Sequence, residues 1–167
     1  MRSVEKNFQF TIPIRMKIDQ QIQQSKFKDE YQKLLINLIF TGNYVTMHQT
    51  NVLKPFGLTP QQYNLLRILR GKHPQSISVG DVQERMIFPS SNVTRIMDRL
   101  IEKGLVLRTG NIKNRRIQDL NIHENGIALL AQIDGVYEQI IGVLTNLDKK
   151  EAELLNLLLD KIRDAKK

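Results

Sequence analysis

The 167-residue sequence contains no cysteine, which excludes disulfides, thiolate metal sites and sensing by cysteine oxidation within it. It has no apolar run long enough to span a bilayer, and residues 1–24 contain no continuous apolar segment of the signal-peptide type. With 41% hydrophobic and 25% charged residues, the composition is typical of a soluble globular protein. We expect a single domain with a sizeable core, located in the cytoplasm and without a membrane partner.

Acidic residues are absent from the long stretch between Tyr31 and Gly80. The basic residues in that stretch are Lys33, Lys54, Arg67, Arg70 and Lys72. Over the whole chain, 25 Lys and Arg against 17 Asp and Glu give a net charge of +8. An excess of this size is expected of a protein that binds nucleic acid or another anionic surface, although many basic proteins bind neither.

Enzyme and cofactor signatures are also missing. The three histidines, His48, His73 and His123, fall on three different predicted elements, and none has the spacing of a metal-binding pair. No glycine-rich loop is placed to bind a phosphate. His123 is interpreted as a helix-start residue, not as a catalytic base. The sequence therefore predicts neither an enzyme nor a bound cofactor or metal.

Helical spacing of apolar residues begins at Lys28 and continues to Leu53, where Pro55 and Gly57 end it. Residues 1–27 are predicted to form an irregular basic arm. The segment Thr59-Pro60-Gln61-Gln62 has the N-cap, first-turn proline and third-position glutamine of a helix start. That helix is expected to end near Gly71.

A helix-turn-helix is predicted next. Its first helix spans Ser78 to Met86, and its second is capped by Ser90 or Ser91 and ends at Gly104. Two strands follow, Leu105–Arg108 and Arg116–Ile122, around a basic loop.

Two further helices are predicted at the C-terminal end of the chain. One runs from about Gly126 to Leu144, and the last runs from Lys149 to Ala165. Leucines cover more than half the circumference of the last helix, which predicts contact with another chain.

This order of elements is that of a winged helix, and residues 57–126 resemble the DNA-binding core of the MarR family of bacterial transcription regulators. The resemblance rests on "SSNVTRIMDRLIEKGLVLR" and "NRRIQDLNIHENG". Asn114, Arg116, Ile122, His123 and Gly126 fall where the family has Asp, Arg, Leu, Thr and Gly. The resemblance implies a mainly α fold with a winged helix-turn-helix lobe, and with N- and C-terminal helices that form a dimerisation region. The corresponding divisions are an arm at 1–27, a dimerisation helix at 28–56, a DNA-binding lobe at 57–125 and C-terminal dimerisation helices at 126–167.

The second helix of the helix-turn-helix is expected to enter the major groove of DNA through its N-terminal end and outer face. The side chains in those positions are Ser90, Ser91, Asn92, Thr94 and Arg95. The alternative is that the serines are only caps and the others only solvated. Arg99 and Arg108 are phosphate candidates, and for Arg99 a local ion pair with Glu102 is the alternative.

The basic loop holds Lys113, Arg115 and Arg116, which the winged-helix geometry places at the neighbouring minor groove. The alternative is a solvated hairpin turn. In the family, the residue at Arg116 enters the minor groove and is held by the Asp at position 114. Here position 114 is Asn, so the ion pair is replaced by at most a neutral hydrogen bond.

The predicted function is a homodimeric, sequence-specific transcription regulator that binds double-stranded DNA at a pseudo-palindromic operator, interpreted as a repressor released by a small-molecule effector. The alternatives are a ligand-independent architectural or activating DNA binder and a winged-helix module for protein interaction. The family often places an effector pocket between its dimerisation helices and its DNA-binding lobe. The residues expected to line it are Tyr44, Met47, His48, Tyr63 and Arg67, and plain core packing is the alternative for them.

Overall fold

The computed structural model describes residues 17–87, 92–110 and 118–164. The chain divides into two units, Met1–Tyr44 and Val45–Lys167, and the boundary falls within a long helix.

The described part of the first unit contains a short helix, α1 (Ile18–Gln21), and the start of α2 (Glu30–Leu53). The prediction of an irregular arm over residues 1–27 is therefore wrong at α1, where Ile18 is buried. So short a helix has too few residues for helical periodicity to show in the sequence. In α2, large apolar side chains are exposed at Tyr31, Leu34, Leu35 and Ile39.

The second unit begins with the end of α2, a 3-10 turn (Lys54–Phe56) and α3 (Pro60–Arg70). Gly57 has φ of +67°, a left-handed conformation that glycine adopts without strain. The predicted start of α3 is confirmed: the Thr59 hydroxyl accepts from the N–H of Gln62 at 3.2 Å, and the Gln62 side chain accepts from the N–H of Thr59 at 3.0 Å.

The helix-turn-helix is confirmed as α4 (Val79–Arg85) and α5 (Val93–Glu102). The helix α5 begins later than predicted, since its N-cap residue is Asn92. Ser78 caps α4 by accepting from the N–H of Asp81 at 3.1 Å.

Three strands form an antiparallel sheet in the order β1-β3-β2. The strand β1 (Ile77–Ser78) precedes α4, and the hairpin of β2 (Val106–Gly110) and β3 (Gln118–Ile122) follows α5. Arg108 pairs with Leu120 in the register of β2 against β3. The sequence predicted β2 and β3 but not β1, because so short a strand does not show the alternation of buried and exposed residues.

The C-terminal part consists of α6 (Glu124–Asp134), α7 (Tyr137–Ile141), a 3-10 turn (Gly142–Leu144) and α8 (Lys149–Arg163). The prediction of one helix through Leu144 is wrong, because Gly135 ends α6 and the chain turns by 65° before α7. Within the described ranges, no single helix is long and apolar enough to cross a membrane, although α6 and Tyr137–Leu144 together reach that length and composition.

The core of the second unit lies between α3, α5, the sheet and α6. Its largest fully buried side chains are Leu53, Leu65, Leu66, Leu69, Met97, Leu100, Leu120, Leu130 and Ile133. The start of α6 approaches the hairpin closely at Gly126, where a Cβ atom would lie 2.4 Å from the carbonyl oxygen of Leu105. This packing fixes the base of the hairpin against the helices.

Candidate nucleic-acid interface

The helix α5 has one buried face and one exposed face. Val93, Met97 and Leu100 recur at three- and four-residue spacing and pack into the core. The exposed positions of the helix are Thr94, Arg95, Arg99 and Glu102, and the N-cap residue Asn92 is also exposed. The predicted groove-facing residues of this helix are therefore available to a partner. Ser90 and Ser91 lie outside the described residues.

Arg95 and Arg99, one helical turn apart, line an open recess between α5 and the start of α3. The recess has a volume of about 190 Å³ and is also lined by Thr59, Gln62, Asn92 and Ile96. Among the described residues, Arg95 and Arg99 form no ion pair, so the predicted alternative of an Arg99–Glu102 pair is not formed. Two guanidinium groups without a carboxylate partner give this recess a positive charge suited to an anion.

Two hydrogen bonds hold α5 and the turn before it in place. The N–H of Ile87 donates to Oδ1 of Asn64 at 2.9 Å, which anchors the chain leaving α4 to α3. At the other end, Nζ of Lys103 donates to the carbonyl oxygen of Gly57 at 2.5 Å. Sequence reasoning missed both contacts, because each joins residues that are far apart along the chain.

Arg108 differs from Arg95 and Arg99 in having a carboxylate partner. Its Nη2 lies 2.6 Å from Oδ1 of Asp98, so the first strand of the hairpin is tied to α5. Both side chains are partly exposed. The other predicted wing residues, Lys113, Arg115 and Arg116, lie outside the described residues, and their contacts with DNA stay predictions.

The candidate effector residues of the second unit have different environments. Tyr63 is buried in the core, whereas Met47 is exposed. Nε2 of His48 donates to the carbonyl oxygen of Gln139 at 2.7 Å. Arg67 donates to Oδ1 of Asp134 at 3.0 Å and to the hydroxyl of Tyr63 at 3.4 Å. Tyr44 belongs to the first unit.

Asp134, the last residue of α6, forms ion pairs with two arginines of α3. Besides Arg67, Arg70 places Nη1 2.6 Å from Oδ2 of the carboxylate. The hydrogen bond between them raises the pKa of Arg70 and lowers the pKa of Asp134, against a smaller opposing effect of desolvation. Sequence reasoning missed this cluster, because 64 positions separate Arg70 from Asp134.

In the part of the chain that the structure describes, no three His, Cys, Asp or Glu residues are grouped so that they could hold a metal ion. The interpretation of His123 as a helix-start residue is confirmed. It occupies the N-cap of α6, and its Nδ1 accepts from the N–H of Asn125 at 3.1 Å.

Comparison with known proteins shows a similarity to one family over the helix-turn-helix and the start of the hairpin. A sequence model described as "MarR family" matches residues 56–117. The HTH-type transcriptional repressor MdtR of Bacillus subtilis is 43% identical over 70 residues, which are 42% of this chain and 44% of MdtR. Residues 56–117 of this chain are thus similar to the MarR family.

Solved structures of MarR-family proteins share the fold. An Escherichia coli MarR mutant complexed with operator DNA has a TM-score of 0.74 at 23% identity, covering 83% of this chain and 99% of that one. BpsR of Bordetella bronchiseptica has a TM-score of 0.71 at 22% identity, covering 84% and 98%. The MarR-type winged helix expected from the sequence is confirmed. Proteins of the MarR family are DNA-binding transcription regulators and not enzymes.

Proposed function

We propose that this chain is a homodimeric repressor that binds a pseudo-palindromic operator in double-stranded DNA. The observation that carries the proposal is the outer face of α5, where Arg95 and Arg99 are exposed beside a recess and form no ion pair among the described residues. The second helix of a helix-turn-helix fits the major groove of B-DNA, and α5 is that helix here. Residues 57–125 would form the DNA-binding lobe.

Repression is the direction of regulation that we propose. It is supported by the similarity to MdtR, a transcriptional repressor that is 43% identical to this chain over the matched segment. A repressor that binds genomic DNA acts where the chromosome is, so the proposal includes the cytoplasmic location expected from the sequence.

Dimerisation is proposed through residues 28–56 and 126–167. No residue of α8 is buried, and its exposed apolar side chains are Leu154, Leu155, Leu157, Leu158 and Ile162. In α2, Tyr31 is 82% exposed and Leu35 is 58% exposed. Apolar surface of this extent is typical of helices that pack against another chain. A twofold symmetric dimer would match the symmetry of a pseudo-palindromic operator.

A small-molecule effector is proposed to release the operator. The support is the similarity to BpsR, whose DNA binding is regulated by 6-hydroxynicotinic acid. The effector residues proposed from the sequence remain Tyr44, Met47, His48, Tyr63 and Arg67. Of these, Arg67 already binds Asp134, so an anionic effector at Arg67 would have to compete with that carboxylate.

The test is selection of bound fragments from the native genome, followed by affinity measurements on the recovered site. We expect a site with two inverted half-sites, and a loss of affinity for Arg95→Ala and for Arg99→Ala. If Arg95 contacts a base edge, its truncation costs about 1–3 kcal/mol and relaxes the preference at one position of each half-site. If Arg99 contacts a phosphate, its truncation weakens binding to all sequences alike.

Lys26→Ala removes an exposed charge outside both the DNA-binding lobe and the proposed dimerisation regions, so it is the control and should keep full affinity. Recovery of fragments without a common sequence would favour the architectural alternative. An absence of DNA binding by the wild-type protein would favour a protein-interaction module.

A further inference from the structure

Arg108 differs from Arg95 and Arg99, the other described arginines of the candidate interface. Arg95 and Arg99 line an open recess, but Arg108 has its Nη2 atom 2.6 Å from Oδ1 of Asp98. The two partners lie on different elements: Asp98 is in α5, and Arg108 is in β2. The pair therefore crosses from the helix proposed to enter the groove to the first strand of the hairpin.

The location of Asp98 determines how the pair affects the charge that α5 presents to DNA. Asp98 lies between Arg95 and Arg99 on α5, a helix that the proposed function places against the phosphates of DNA. An unpaired carboxylate there would repel those phosphates. In the pair, the charge of Arg108 offsets the charge of Asp98, so the pair as a whole attracts phosphates little and releases few counterions.

The surroundings of the pair favour a fixed geometry. Met97 and Leu100 flank Asp98 on the buried side of α5, and Val106 of β2 is buried. The backbone of Arg108 is paired with Leu120 in the sheet. Both side chains thus project from backbone that is held by the core, which lowers the entropy lost in forming the ion pair.

We propose that Arg108 is a positioning residue, which holds α5 against β2 through Asp98, and that it is not a phosphate ligand. This differs from the expectation from the sequence, which placed Arg108 among the phosphate contacts. The inference rests on the proposed function, because the orientation of α5 matters for its fit to the groove. It specifies the function further by separating the arginine that orients the helix from the arginines that touch DNA.

The decisive experiment is a double-mutant cycle on operator affinity with Asp98→Asn, Arg108→Gln and both together. A positioning role predicts that each single variant binds about two- to fivefold more weakly, the range expected for a partly exposed ion pair. It also predicts that the double variant binds no more weakly than either single variant, since the same contact is lost in all three. The double variant, which removes one charge of each sign, should keep the slope of log K against log salt.

Arg99→Gln is the matched control, because Arg99 is on the same helix and has no ion pair among the described residues. It should flatten the salt slope by about 0.9. In a variant with both changes, the losses of operator binding free energy from Arg99→Gln and from Asp98→Asn should add. The proposal is overturned if Asp98→Asn tightens binding while Arg108→Gln flattens the slope, because Arg108 would then be a phosphate ligand with which Asp98 competes.

A second measurement tests the tie between helix and strand without DNA. Amide hydrogen exchange in β2 of the full-length protein should be faster in Asp98→Asn and in Arg108→Gln than in the wild type. The double variant should exchange no faster than the single variants. Arg99→Gln should leave β2 unchanged. If β2 exchanges at the same rate in all variants and in the wild type, the proposal that the ion pair holds α5 against β2 is overturned, even if the protein binds DNA. Wild-type protein that fails to bind any operator would contradict the proposed function, while the exchange result would still decide the tie.

Discussion

At Gly126 the start of α6 passes so close to the hairpin that a single methyl group has no room. A Cβ atom there would lie 2.4 Å from the carbonyl oxygen of Leu105 and 2.8 Å from Cγ1 of Ile122. The first of these neighbours is backbone and cannot rotate away. Gly126→Ala should therefore lower the free energy of unfolding by about 1–3 kcal/mol, the usual cost of overpacking.

Urea unfolding at a fixed protein concentration measures this change. Gly80→Ala is the matched control, because Gly80 is also in the first turn of a helix and a Cβ there would lie 3.8 Å from its nearest neighbour, the hydroxyl of Ser78. The control should be as stable as the wild type or slightly more stable. If both variants have the same free energy of unfolding, the hairpin would have moved to make room for the methyl group without a loss of stability.

Single residues differ in how much the sequence reveals about them. Arg95 and Arg99 could be assigned to the exposed face of α5, because the apolar spacing fixes which face is buried. The partners of Arg67 and Arg108 could not be assigned. Asp134 is 67 positions from Arg67, and Asp98 is on a different element from Arg108. Side-chain pairing across elements depends on packing angles that one sequence does not encode locally.

Between elements, the contact of Asp134 with Arg67 and Arg70 ties α6 to α3. Asp134→Asn removes the charge and should cost less than about 1 kcal/mol, because the carboxylate is 42% exposed and solvent weakens the pair. In the folded protein the pKa of Asp134 is below its ordinary value of 3.8. The stabilisation is thus fully present above pH 3.8 and is lost as the pH falls through the lowered pKa.

Unfolding of the wild type and Asp134→Asn in urea, over a series of pH values, measures the difference between them. We expect this difference to be constant near neutral pH and to shrink at acid pH. Glu84→Gln, a change at an exposed carboxylate on α4 with no ion pair among the described residues, serves as the control for general charge effects. A difference that persists unchanged in acid would show that Asp134 stabilises α6 without its charge.

Elements were predictable where their signals were long or chemically specific. The start of α3 follows from its capping residues at Thr59 and Gln62, and the buried face of α5 follows from its apolar spacing, although its first residue was predicted too early. The short elements α1 and β1 were missed, because periodicity needs more residues than they contain. The break between α6 and α7 was missed because Gly135 is an isolated glycine, which a helix also tolerates.

At the scale of the whole molecule, two exposed features of the described residues bear on the proposed function. The exposed arginines Arg95 and Arg99 are in the helix-turn-helix, whereas the largest exposed apolar runs are in α2 and α8. The excess of leucine on α8 could be recognised from the sequence, because a helix packed on one side needs fewer apolar positions. These positions are consistent with α5 binding DNA and with α2 and α8 contacting a second copy of the chain.

The proposed dimer can be tested on α8, where Leu155 is 42% exposed and Leu158 is 49% exposed. Replacing both by Glu places charges in the proposed interface but removes no side chain from the core of the chain, so the protomer should stay folded. We expect monomers in sedimentation at micromolar concentration. Operator affinity should fall about 100-fold or more, because a monomer engages only one half-site.

The control is Asn156→Glu, which adds a charge on the polar side of the same helix, one turn from Glu153 and Asp160. Its sedimentation and affinity should match those of the wild type, because this side of α8 carries polar residues that a dimer interface would leave in water. Wild-type protein that sediments as a monomer would contradict the proposed dimer directly. If the double variant with Leu155→Glu and Leu158→Glu remains dimeric, the interface would instead be assigned to α2, whose exposed Tyr31 and Leu35 would then be the next positions to replace.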